Sequence, residues 1–198
     1  MGACARRALR SRPLREVNLN AGCPSIEAGG GAFGASLMRD ATLTRTLLES
    51  LKLSAPDCAV SLKCRLGVIE RWDESSVVPN NEERLYEELA RFVHEVSRTG
   101  ACEHVVVHAR VAALSGLSPA TNRAAPPLKP QLVRRLARDF PHLRVTLNGG
   151  LSMHEGAHQL TAGDDDELDG LMFGRSVLRR PHFKAGVGKT RALGPFFG

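Results

Sequence analysis

The chain has 198 residues, of which 42% are hydrophobic and 24% charged, a balance that fits one globular domain and holds no run able to span a bilayer as a helix. The formal net charge is +6, but Arg6, Arg7, Arg10, Arg12 and Arg15 stand without an acid among the first fifteen residues, so the rest carries only about +1. Five cysteines, an odd number with no CxxC spacing and no secretory signal, exclude a disulfide framework and point to a reducing compartment.

The opening segment, MGACARRALRSRPLR, has three readings: an organellar transit peptide, a phosphate-binding arm, or a helix leading into the first strand. A myristoyl anchor is excluded, because its pattern needs Ser or Thr where Arg6 stands. From Glu16 onward one unit repeats. Short apolar or alternating runs, rich in the β-branched residues that strands favour, occur at Glu16–Asn20, Ala59–Lys63, His104–His108, Arg144–Asn148 and Gly170–Phe173. Between them, RDATLTRTLLESLKL, EERLYEELARFVHEVSRT, PQLVRRLARDF and SMHEGAHQLTA space their apolar residues by three and four, giving each helix one buried face. This alternation predicts an α/β protein with a parallel sheet.

Each of the five strands ends in residues able to do chemistry: Asn20 with Cys23, Lys63 with Arg65, His108 with Arg110, Asn148 with Gly149 and Gly150, and Gly174 with Arg175. In an open doubly wound sheet ligands gather at the switch point, whereas in a (β/α)8 barrel all strand ends converge on one site. Five consecutive furnished ends therefore predict a TIM barrel, or part of one. NGG after the fourth strand and GR after the fifth read as a phosphate cradle, with backbone N–H groups facing the anion and Arg175 pairing with it. A tight turn is the other reading of Gly149 and Gly150. His108 alone would be read equally well as a core histidine, and Cys58, Cys64 and Cys102, in strand-like or helix-like context, read as buried apolar side chains.

Three motifs do not fit the chemistry they spell. Gly29, Gly31 and Gly34 make GxGxxG, but the run follows a Cys-Pro turn and no acidic ribose anchor ends a second strand at the right distance. His154 and His158 in HExxH have zinc spacing and no third ligand downstream. GVGKT near the C-terminus lacks the first P-loop glycine, where Phe183 stands.

The motifs NLNAGCPS, FGASLM, LKCRLG, VVHARVAALSGLSPATNRAAPPL, DFPHLRVTLNGG and GLMFGRS, in that order from about Glu16 to Arg180, resemble the tRNA-dihydrouridine synthases, and the HAR to PPL stretch is most similar to their A-type subfamily. The resemblance implies an FMN-dependent TIM-barrel enzyme that uses NADPH to reduce the C5=C6 bond of uridines in tRNA. It implies that Cys23 protonates uracil C5, a role open to a thiol whose ordinary pKa of ~8.5 keeps it protonated at neutral pH. It further implies substrate contacts from Asn20, Arg65 and Arg110. Lys63 and His108 would lie against the flavin, and Asn148, Gly149, Gly150, Gly174 and Arg175 would hold its phosphate end.

Measured against the family pattern, about three strands are expected ahead of Glu16, and the last residues do not resemble the family's helical tRNA-binding tail. The expected organisation is a basic extension over 1–15, a partial barrel carrying the last five β/α units over 16–185, and a divergent tail over 186–198. The expected partner is tRNA, with no metal and no membrane, in the cytoplasm or, given the arginine-rich start, in a mitochondrion or plastid. Two rival readings are an inactive remnant of such an enzyme and a non-catalytic RNA-binding module.

Overall fold

The structure is a computed structural model, and it describes residues 3, 14–24, 33–72, 82–151 and 168–175. The fourth expected helix, the HExxH and GVGKT motifs, most of the basic start and the tail all lie outside the described residues.

Five strands, β1 (Glu16–Asn20), β2 (Ala59–Arg65), β4 (His104–His108), β6 (Arg144–Asn148) and β7 (Gly170–Met172), form one parallel sheet in the order β1-β2-β4-β6-β7. Among the described residues each new strand joins the same edge of the sheet, so the order does not reverse and no doubly wound switch point occurs. Two short strands that sequence reading missed, β3 (Val68–Arg71) and β5 (Ala112–Ser115), pair in parallel as a separate ribbon above the ends of β2 and β4.

The strands read as alternating because their two faces differ. Val17, Leu19, Val60, Leu62, Cys64, Val105, Val107, Val145 and Leu147 point outward beneath the helices and belong to one apolar core. That core is completed by α1 (Ala41–Ser54), α2 (Glu82–Ser97) and α3 (Pro130–Asp139), through Leu48 and Leu51, Leu85, Leu89, Val93 and Val96, and Leu132, Val133 and Leu136. Local signals set the helix starts. The Asp40 carboxylate accepts from Leu43 N at 2.8 Å, satisfying one orphan N–H of α1, and Pro130 opens α3 where a missing N–H costs nothing.

The inner face is polar, and its registers stack in layers: Asn18, Ser61, His104 and Arg144; then Asn20, Lys63, Val106 and Thr146; then Arg65, His108 and Asn148. Glu16 on β1 reaches past β2 to accept from His104 Nδ1 on β4 at 3.2 Å, while His104 Nε2 pairs with Thr146 Oγ1 at 2.8 Å. Contact between side chains two strands apart requires the sheet to curl inward. A parallel sheet in chain order, curled around a filled interior, is the architecture of part of a (β/α)8 barrel.

Candidate functional site

The uppermost inner layer and the loops leaving it form one site at the carboxyl ends of the strands. After β1 the chain turns sharply, and the Asn20 side chain makes the turn: its Oδ1 accepts from Gly22 N at 3.0 Å and Cys23 N at 3.2 Å. On the far side, Cys23 O accepts from Ala35 N at 2.7 Å. The 3-10 helix Gly34–Arg39 can approach this closely because Gly34, at φ 63°, has no Cβ; one would lie 2.3 Å from Cys23 O. The backbone of Cys23 is thus held from both directions while its thiol stands exposed. Cys58, Cys64 and Cys102 are buried as expected, and burial pushes the Cys64 and Cys102 thiols up to about 12.

The end of β2 supplies the next two groups. Lys63 lies partly buried, and burial first, then the Arg65 charge, holds its ammonium below the ordinary lysine range. Arg65 is only 2% exposed. Its Nε donates to Gly22 O at 3.0 Å, and its Nη1 donates to Val111 O at 3.3 Å and Asn122 O at 3.2 Å. Two of its three nitrogens are therefore engaged by backbone. Desolvation and the neighbouring Arg123 lower its pKa to about 10, so it remains a cation at neutral pH.

At the end of β4, His108 is buried and its Nε2 has no hydrogen-bond partner among the described residues. Burial, then Arg65, Lys63, Arg110 and Arg123, drive its pKa down to about 3, leaving a neutral imidazole. Arg110 donates from Nη1 to Pro126 O, while its buried Nε has no partner among the described residues. At the end of β6, Gly149 lies flat against the His108 ring: at φ 105° its Cβ would fall 2.6 Å from Cδ2 and 2.8 Å from Nε2. The Asn148 side chain donates from Nδ2 to Met172 O at 2.8 Å, tying the ends of β6 and β7 together. Beyond β7, a Cβ at Gly174 would meet nothing within 4 Å among the described residues, and Arg175 is exposed.

All the expected residues thus belong to one end of the sheet. Asn20, Arg65 and Asn148 bind backbone and shape the rim; Arg65 and Asn148 are buried beneath it, so the substrate contact expected of Arg65 is replaced by bonds to the carbonyls around it. Two further residues, Asn122 and Arg123 on the 3-10 turn Thr121–Arg123, belong to the same neighbourhood and were absent from the sequence-derived set, although ATNR lies within a motif that carried the resemblance.

Among the described residues no carboxylate forms an ion pair with Lys63, Arg65, Arg110 or Arg123. A concentration of uncompensated positive charge beside buried nitrogens that lack partners favours an anionic ligand rich in acceptors. A flavin mononucleotide has both properties. The residues present fit that group.

Fold and site together define a barrel-type α/β protein with an exposed cysteine beside a cluster of cationic side chains. The family model described as dihydrouridine synthase (Dus) matches residues 1–192, a span that takes in the arginine-rich start, and the chain belongs to the dihydrouridine synthase family. The tRNA-dihydrouridine(20/20a) synthase of Escherichia coli (strain K12) is 38% identical over 190 residues, covering 94% of this chain and 49% of that protein. The protein of the same name from Vibrio vulnificus (strain CMCP6) is 38% identical over 188 residues, covering 94% of this chain and 52% of that protein. The chain spans about half the length of the curated relatives it matches.

Proposed function

We propose that this chain reduces uridine to 5,6-dihydrouridine in tRNA, with FMN as cofactor and NADPH as reductant. The observation that carries the reading is the exposed Cys23 thiol, fixed through its backbone on the rim of a cationic site. When bound, reduced FMN supplies the hydride that ends on uracil C6.

The chain's own residues account for binding and for the proton. Neutral His108, with its unpartnered Nε2, and Lys63 would meet the polar edge of the flavin. The Gly149 and Gly150 backbone, together with Gly174 and Arg175, would take its phosphate. Asn20 keeps its Nδ2 for the uracil edge while its Oδ1 holds the turn, and Arg110 completes the substrate side. Cys23 Sγ–H gives its proton to uracil C5 as the C5=C6 bond is lost. The thiolate left behind is exposed, so water can reprotonate it. The Lys63 and Arg65 charges favour the negative charge that develops between hydride and proton transfer.

The test is Cys23→Ala assayed with FMN, NADPH and an unmodified tRNA transcript. The variant is expected to bind flavin and accept electrons from NADPH while losing dihydrouridine formation. Wild-type turnover by the variant would remove Cys23 from the reaction, and wild-type protein that is folded yet neither binds FMN nor reduces tRNA would favour the inactive remnant.

A further inference from the structure

We propose that Asn122 is a positioning residue for the Cys23 thiol, acting through Arg65. The side chain of Asn122 is 1% exposed although its neighbours Thr121 and Arg123 are exposed. Both ends of its amide engage a single residue of β5: Nδ2 donates to Ala113 O at 2.7 Å, and Ala113 N donates to Oδ1 at 3.0 Å. The side chain thereby copies the pairing a neighbouring strand would make, and it fixes the 3-10 turn to the β3/β5 ribbon.

A fixed turn has a fixed carbonyl. Asn122 O accepts from Arg65 Nη1 at 3.2 Å, next to Val111 O at 3.3 Å. A guanidinium is planar, so anchoring Nη1 on two carbonyls sets the direction of Nε as well. That Nε donates to Gly22 O at 3.0 Å, in the residue before Cys23. The amides of Gly22 and Cys23 in turn donate to Asn20 Oδ1. A continuous series of buried, directional bonds therefore runs from β5 to the peptide that carries the thiol. Among the described residues no hydrogen bond joins Asn122 to Cys23, and Asn122 itself is buried away from the open rim. Loss of its amide would leave Arg65 only Val111 as an outer anchor and would free Gly22 O to rotate with the turn.

The catalytic part of this inference rests on Cys23 being the proton donor, so the experiment includes a readout that does not need turnover. Asn122→Asp keeps the shape and the acceptor but removes the donor to Ala113 O. It is compared with Arg65→Lys and with the double variant in the full chain, by native-state hydrogen exchange and by steady-state reduction of an unmodified tRNA transcript. In Asn122→Asp, exchange of the Gly22 and Cys23 amides is expected to speed up at least about tenfold while amides of β4 and α2 keep their protection. The kcat is expected to fall about 10- to 100-fold with KM for tRNA within about twofold, as a small misplacement of a reacting group would cause. In the Arg65→Lys background the same change should add less than about twofold, because the two residues act in one series.

Unchanged exchange at Gly22 and Cys23, a loss confined to KM, or fully multiplicative effects would overturn the inference. Should Asn122→Asp fail to fold, Arg65→Lys alone must loosen the same two amides, and unchanged protection there refutes the brace. If the wild-type chain reduces no tRNA, the proposed function fails, and exchange alone then decides whether the brace exists.

Discussion

Replacing Gly149 by Ala separates two costs that the structure assigns to the rim of the site. At φ 105° an L-residue is strained by about 1–2 kcal/mol. The added Cβ would also fall 2.6 Å from His108 Cδ2, and His108 is a buried strand residue with little room to retreat, so overpacking adds about 1–3 kcal/mol. The total, about 2–5 kcal/mol, corresponds to a fall in Tm of roughly 4–20 °C for a chain of this size. Two controls isolate the terms. Gly100, at φ 74°, has nothing within 4 Å of its Cβ position among the described residues, so Gly100→Ala carries strain alone and should lower Tm by only about 2–8 °C. Gly174 has no positive φ and, among the described residues, nothing within 4 Å of its Cβ position, so Gly174→Ala should leave Tm unchanged. Differential scanning calorimetry of the three variants gives the order directly. A Gly149→Ala protein as stable as Gly100→Ala would refute the close packing of Gly149 on His108.

The remaining expectations concern charge and reactivity. Because burial and then the neighbouring cations push the His108 imidazole down to about 3 in the folded protein, against ~6.5 when unfolded, the unfolded chain binds more protons between those values. Stability should therefore rise with pH through that window and level off above it, and urea unfolding of His108→Asn should lose this part of the slope; an unchanged slope would mean that His108 is not neutral. Glu16 is held below the ordinary carboxylate range: burial opposes this, and its hydrogen bonds to His104 and Ser61 prevail. Its contribution should be complete above about pH 4.5 and be lost as pH falls through the folded value, so Glu16→Gln should be less sensitive to acid than wild type over that range. In the native protein iodoacetamide should label Cys23 and spare Cys58, Cys64 and Cys102, as peptide mass spectrometry would show; labelling of Cys64 before Cys23 would contradict the burial described. Arg175→Ala should weaken FMN binding roughly 10- to 100-fold, the worth of a charge-assisted phosphate contact, and equal affinity would place the phosphate elsewhere.

The parallel sheet was legible because burial writes a period of two into each strand. Val60, Leu62 and Cys64 alternate with Ser61, Lys63 and Arg65, and the apolar set faces the helices while the polar set fills the interior. The helices were legible through Leu85, Leu89, Phe92 and Val96, and through Leu132, Val133 and Leu136, at spacings of three and four. The β3/β5 ribbon was not. VIER and AALS are four residues each, and they are strands only because they pair across 44 positions of sequence. The site divides in the same way. Cys23, Lys63, His108 and the NGG segment end recognisable strands, so topology alone gathers them. Asn122 functions through a bond to Ala113, and Gly34 through contact with Cys23 O; neither follows from local pattern. The second role of Arg65 was also hidden, since a sequence shows a charge and not the three carbonyls around it.

The central claim is that the carboxyl ends of these strands form a flavin site. It is tested most directly by titrating the purified, folded chain with FMN and following the change in flavin absorbance, in parallel with a His108→Ala, Arg175→Ala double variant. Saturable binding by the wild type that is at least about tenfold weaker in the double variant is the expected result. A folded chain that leaves the flavin spectrum unchanged at all concentrations, or binding that ignores both substitutions, would contradict the claim.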